Sequence, residues 1–445
     1  MSRRAWVNGL TALALVIAGA VTWQRVRDDC GAAVTSLPAS ESSSPFLDAE
    51  GMREQPDENR DALVRALASA PAPIGPVLGA VGYHYEQWAQ VSALDQGLGV
   101  RTRNNPDFTM LDDRSLRPRW SVAVDTPRST YDAGAGHYLV GTTPRNAPPE
   151  LVLLDAETGE RRWCVGAGGS ALLGRDALAT EVLDDGGVLL LRPTEDGAPR
   201  LARLAGRDGS TRWETSVAAG DGDFVGRLGD DLVLAGGTPR ADLLDPGLLA
   251  DRAEGPALAA VSSRTGERRW EVRTGAGQGL HVLAADPDTG LAVLEEWNAE
   301  NTEGRLYAID RRGDEVWSVR PPATPYFDAT VRSGRVLVRA GARWAAYDSS
   351  DGRRLWSRTI PDRPQFLPYG FELADVPLLD ADHVLIGGTT GLHTMDLRTG
   401  SFTTARLPTD GINTTYWPYQ VAVTADAVAV ATNTGAVVVR REDLS

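Results

Sequence analysis

Two cysteines, a handful of histidines and a set of aromatic residues beside carboxylates are the groups in this chain whose types and spacing could do chemistry. Cys30 and Cys164 lie far apart, with no C-x-x-C, no adjacent pair and no zinc spacing, so a dithiol centre or a thiolate metal site is not written here. In an oxidising compartment the two could pair with each other, and Cys164 could equally be a small buried residue beside a tryptophan. His137 and His383 open strand-like runs where Arg335 and Ala427 stand in comparable runs, and His281 looks similar, so repeat position rather than metal binding accounts for them. There is no H-E-x-x-H, no G-x-S-x-G and no phosphate-binding loop. "EEWNAENTEG" (295–304) lacks the spaced Asp/Asn pattern and closing Glu of a calcium loop and reads as a solvated loop.

The aromatic group is less ordinary. Tyr131-Asp132, Tyr326-Phe327-Asp328, Tyr369 and Tyr416-Trp417 occupy corresponding places after copies of one repeated segment. Tyr and Trp are enriched at binding hot spots. Elements that brought these residues to one place would make a recognition surface, and packing between elements is the competing use.

Those elements are written in a repeat. "LLDAETGERRW" ends at Trp163, and related segments end at Trp213, Trp270, Trp317 and Trp356, each with a Gly four residues before the Trp. A degraded copy ends at Trp120 with Leu116 in the Gly slot, and another keeps Gly400 with Thr404 in the Trp slot. Steps of roughly 40–50 residues with strand-like flanks mean propeller blades. The Asp-x-x-x-Gly stretch is hairpin chemistry, since Asp bonds the turn backbone and Gly supplies positive φ. A buried Trp removes about 150–250 Å² from water, an upper bound of about 4–6 kcal/mol. Trp120, Trp163, Trp213, Trp270, Trp317 and Trp356 are therefore expected to dock blade on blade. Two strands at 421–441 follow the last slot without a Trp strand, and "PIGPVLGAV" (73–81) is placed to supply the missing outer strand. The expectation is an all-β, eight-bladed propeller closed by strands from both ends, with seven blades as the alternative.

Net charge is −15 and every one of the 45 basic residues is Arg, with no basic face to offset the acid, so nucleic acid is not an expected partner. Ahead of the repeat, Arg3 and Arg4 precede an apolar run from Trp6 to Trp23, about 27 Å long as a helix and close to a bilayer core. This predicts residues 1–4 as a cytoplasmic tip and 5–24 as a transmembrane signal-anchor. A cleaved signal peptide is the alternative, because Ala18-Gly-Ala20 resembles a cleavage site. Residues 25–76 are expected to be an extracytoplasmic stalk, Ser- and Pro-rich over 31–56, with a short helix over 56–70. Residues 77–445 are the propeller.

The L-x-D-x-x-T-G-x-x-x-W motif at 153–163, with its copies, resembles the PQQ-like propeller repeat of quinoprotein dehydrogenases. Its non-catalytic relatives include outer-membrane protein-assembly propeller lipoproteins and extracytoplasmic sensor domains. In the dehydrogenases the resemblance implies a quinone and a metal ion on the propeller axis, often with a vicinal disulfide and a catalytic Asp. This chain has no adjacent cysteines, and no catalytic motif transfers residue by residue. The expectation is a protein without enzymatic activity or cofactor, anchored in the membrane through its N-terminal helix. Its propeller would bind a protein or envelope partner through the aromatic rim, and a quinone- or metal-dependent oxidoreductase is the alternative.

Overall fold

The computed structural model describes residues 34–38, most of 40–54, 60–61, 64–65 and the greater part of 74–441. Within that last stretch it omits 83–88, 95–96, 103–104, 125–128, 135, 143–149, 167–179, 193–199, 218–223, 238–256, 276–277, 299–303, 321–326, 341–342, 360–376, 388–390, 407–419 and 432–434.

The repeat folds as antiparallel sheets. Blade two is representative: Ser129–Gly134, His137–Thr142, Glu150–Asp155 and Arg161–Gly166 pair in chain order, from the innermost strand to the outermost. Residues on its middle strands alternate between two apolar environments. Leu139, Leu151 and Leu153 face blade three, whereas Val140, Val152 and Leu154 face blade one. Both faces of each sheet are covered, so strands such as "ELVLLD" read as unbroken apolar runs. Eight clusters of buried residues result, each straddling two neighbouring sheets, and they close a ring of eight blades.

The repeated Gly and Trp meet across blade boundaries. A Cβ on Gly159 would lie 2.6 Å from the Trp120 ring, and Gly209, Gly266, Gly313, Gly352 and Gly400 stand in the same relation to Trp163, Trp213, Trp270, Trp317 and Trp356. All six glycines have φ between +67° and +82°. Gly is thus required twice, for the left-handed turn and for the approach of an indole ring. Each indole N–H also donates to a turn carbonyl of the next blade, from Trp120 to Ala156 through Trp356 to Leu397, at 2.8–3.1 Å. In all six of these blades the ladder between the third and fourth strands shifts register beside the Trp. Such a bulge re-aims a side chain.

Two junctions lack this dock. Blade eight (Gln420–Val423, Ala427–Ala431, Gly435–Arg441) takes its outer strand from Ile74–Gly82, so the N-terminal side of the repeat closes the ring. No Trp approaches the turn of blade one from that strand, and Leu116 occupies the Gly slot at φ 55° with its side chain buried among Ala427, Ala429 and Val438. In blade seven Thr404 holds the Trp slot, and its hydroxyl lies 2.9 Å from Nδ1 of the buried His393.

The segment read as a stalk is partly built into the propeller. Val34–Pro38 pairs antiparallel with Pro118–Val124 as a fifth strand outside blade one, Ser42 Oγ lies 2.9 Å from Ser121 Oγ, and Phe46 is buried. An edge strand bonds through its backbone, so a Ser- and Pro-rich composition does not prevent pairing. A helix at Ala49–Glu54, capped by Asp48, was not expected. Of the helix expected over 56–70, residues 60, 61, 64 and 65 are described and helical. The apolar run Trp6–Trp23 lies outside the described residues, and no helix among those described is long and apolar enough to cross a membrane.

Candidate functional site

In each blade whose innermost strand is described, that strand leaves one edge unpaired toward the propeller axis, and that of blade three neighbours those of blades two and four. Tyr131 and Asp132 lie within one such strand, opposite Val140 and Leu139. Phe327 and Asp328 begin another, Phe327–Arg332, opposite Ala340 and Arg339. Counting back from each hairpin turn makes Gly134 equivalent to Arg332, so Tyr131 is level with Ala329 and Phe327 with Ser129. The two aromatic-Asp pairs are therefore two positions apart along the strand, about 7 Å, rather than at one level. Connections of different length between the Trp strand and the next inner strand conceal this offset in the sequence. Tyr326, Tyr369, Tyr416 and Trp417 lie outside the described residues.

Blade five carries a polar group that sequence reasoning missed. Leu291–Asn298 is a strand, so Glu295 and Trp297 are not on a solvated loop: Glu295 is 1% exposed and Trp297 is also buried. The Trp297 indole N–H donates to Glu295 Oε1, and Glu295 Oε2 lies 3.9 Å from His281 Nδ1 on the neighbouring innermost strand, Gln278–Asp286. His281 is thus on a first strand, unlike His137 and His383, which open second strands. A buried polar group needs such partners, and the arrangement fixes the first two strands of blade five against each other. The available signal was the apolar run "LAVL" that leads without a break into Glu295.

The opposite ends of the strands form a face of tight turns. Asp155 Oδ1 accepts the N–H groups of Glu157 and Thr158 at 3.0 Å, and Asp396 holds those of Arg398 and Thr399. Partial burial pushes the Asp155 carboxyl up, but Arg162 and these turn bonds outweigh it and hold it below the ordinary range. Asp112 is held low first by the Ser115 hydroxyl, and Asp348 by that of Ser350. In blade seven His383 Nδ1 lies 2.9 Å from both oxygens of Asp380. These carboxylates are occupied by their own turns. Among the described residues no group of three His, Cys, Asp or Glu could hold a metal ion. Cys164 lies on the outermost strand of blade two, at the periphery, and is disulfide-bonded. The chain's other cysteine, Cys30, lies outside the described residues.

Comparisons agree with this architecture. No curated protein sequence matches the chain. The structure of BamB from Moraxella catarrhalis is 14% identical over 82% of this chain and 100% of its own, with a TM-score of 0.51. The C-terminal WD40 domain of Sif2 is 10% identical over 83% of this chain and 99% of its own, with a TM-score of 0.52. Quinohemoprotein alcohol dehydrogenase ADHIIG from Pseudomonas putida HK5 reaches 14% identity over 82% and 76%, with a TM-score of 0.49. At these identities the likeness to the BamB and Sif2 structures is one of fold alone. The family model described as outer membrane protein assembly factor BamB matches residues 66–240 and 254–443, and its break falls on the insertion that makes the longest step of the repeat. With most of its length matched, the chain belongs to the BamB family of PQQ-like propellers.

Proposed function

We propose that this chain is a membrane-anchored, extracytoplasmic propeller that acts without catalysis, as a rigid interaction scaffold in the cell envelope. The observation that carries the reading is the repeated dock of Trp on Gly. Six successive junctions are locked by a buried or half-buried indole and a hydrogen bond, and strands from both ends close the ring. A body so fixed presents its connections in constant geometry, which lowers the ordering cost of binding. The family's description as an assembly factor supports a protein partner. The disulfide at Cys164 supports an exported, oxidising location.

The test is recovery of partners from native membranes by proximity labelling, with Tyr416→Ala plus Trp417→Ala as the variant. A rim that binds loses its partner while the melting temperature hardly changes. Loss of stability with unaltered binding per folded molecule makes these aromatics packing residues. Retention in membranes after carbonate washing, with an intact N-terminus, supports the anchor, and a mature terminus at Val21 replaces it with a secreted protein. Dehydrogenase turnover on addition of pyrroloquinoline quinone and calcium would overturn the non-enzymatic reading.

A further inference from the structure

The turn face departs from its own repeat at one junction. In blades one and two the Arg immediately before the docking Trp pairs with the Asp that starts the turn, seven residues earlier: Arg119 with Asp112 at 3.1 Å and Arg162 with Asp155 at 2.5 Å. Blade three keeps the Arg, as Arg212, but the residue seven earlier is Ala205. The backbone turn is unchanged, with the Gly209 N–H on the Ala205 carbonyl at 2.8 Å and Gly209 at φ 68°, as for Gly159 on Asp155 at 2.8 Å and φ 71°. Only the carboxylate is gone. Blade four has Ser262 at this position, and there Arg269 pairs instead with Glu267.

A cavity of about 360 Å³ opens beside Ala205, within the size range of small-ligand sites. Ala205 contributes to its lining, and Arg203, Arg207, Arg212 and Arg264 surround it with Asp185. Arg203 is already engaged, by Asp185 and by the Ser263 carbonyl of blade four. Arg207, Arg212 and Arg264 make no ion pair among the described residues. Asp208 lies near Arg207 and Arg212, and its carboxyl, held low first by the Ser210 hydroxyl, is turned to its own turn. Three exposed arginines without an ion pair among the described residues thus line one cavity in a chain of net charge −15. Their planar donor forks suit carboxylate and phosphate oxygens.

We infer that this junction of blades three and four binds a small oxyanion, a carboxylate or phosphate group, in the place of the Asp carboxylate that the repeat omits. The ligand completes from outside the Arg–carboxylate pair that blades one and two make internally, and Arg264 brings blade four into the site.

Titration calorimetry of the full chain with inorganic phosphate and with citrate, at constant ionic strength set with chloride, tests this and separates the two sources. At least one probe is expected to bind. Arg264→Gln or Arg207→Gln should weaken it about tenfold or more, equivalent to about 1.4 kcal/mol. Ala205→Asp restores the internal partner of Arg212 on a backbone that already accepts Asp elsewhere, and should abolish binding without lowering the melting temperature. Arg353→Gln, on the turn of blade six, should change nothing. Binding of neither probe, undiminished binding in Ala205→Asp, or an equal loss in Arg353→Gln overturns the assignment.

Discussion

Two glycines of blade two share a backbone conformation and differ in what lies beside them. Gly136 has φ 74° with nothing within 4 Å of a built Cβ, whereas Gly159 has φ 71° with the Trp120 ring 2.6 Å away. Gly136→Ala should cost only the left-handed backbone, about 1–2 kcal/mol. Gly159→Ala incurs the same cost and must also displace a fully buried indole whose N–H is bonded to Ala156. Overpacking adds about 1–3 kcal/mol, for a total of about 2–5. Urea unfolding of both variants, followed by tryptophan fluorescence and far-ultraviolet circular dichroism, measures the difference, provided the two probes give one transition. In Trp120→Leu the excess cost of Gly159→Ala should shrink by about 1 kcal/mol or more, the coupling of residues in contact. Equal destabilisation by Gly136→Ala and Gly159→Ala would refute the account of the repeat in which Gly is kept for the indole as well as for the turn.

At Leu116 the usual order of substitutions should invert: Leu116→Ala costs about 2–5 kcal/mol of burial, and Leu116→Gly about 1–2 less because it relieves the positive φ; denaturation midpoints of the two variants decide this. Asp112, Asp155, Asp310, Asp348 and Asp396 all have folded-state carboxyls held below the ordinary value, so their stabilisation is complete above about pH 4 and is lost as pH falls through the folded values. A melting temperature that declines less steeply with acid in Asp155→Asn than in the unaltered chain is the expected signature. Reducing the Cys164 disulfide should cost about 2–5 kcal/mol, and alkylation of two thiols in non-reduced protein would contradict the bond. Phe46→Ala should cost about 3–5 kcal/mol as a core truncation, whereas in a flexible stalk it would leave the melting temperature unchanged.

The propeller was legible because its two most informative residues are tied together physically. Gly and Trp recur at fixed spacing since the turn of one blade must accept the ring of the one before, and that contact leaves its trace at six junctions. Closure by Ile74–Gly82 was legible for a related reason, as two strands at the C-terminus lacked an outer neighbour. Pairing of Val34–Pro38 was not, because backbone hydrogen bonds at a sheet edge place little demand on composition. Glu295 was misread for the opposite reason: its burial depends on Trp297 and His281, partners that only strand register brings together. Counting from the Trp also hid the two-residue offset between Tyr131 and Phe327, because the hairpin turn is the fixed point of these two inner strands.

The two junctions without a Trp dock are also the two that the N-terminal segment covers. Between blades eight and one, Phe46 joins the cluster of Val91, Leu98, Leu116 and Ala429. Between blades seven and eight, Met52, Val64 and Val77 pack against Leu379, Leu385 and Val428. Polar contacts follow the same division, with Arg114 on Asp426 at 2.8 Å across the first junction and Arg441 on the Leu379 carbonyl across the second. The outer strand of blade eight, Ile74–Gly82, contains no Trp, and Thr404 leaves blade seven without one as well. A ring is no more stable than its weakest junction, since opening one releases the constraint on both neighbours. The described parts of the N-terminal segment thus flank both junctions, outside blade one at Val34–Pro38 and outside blade eight at Ile74–Gly82.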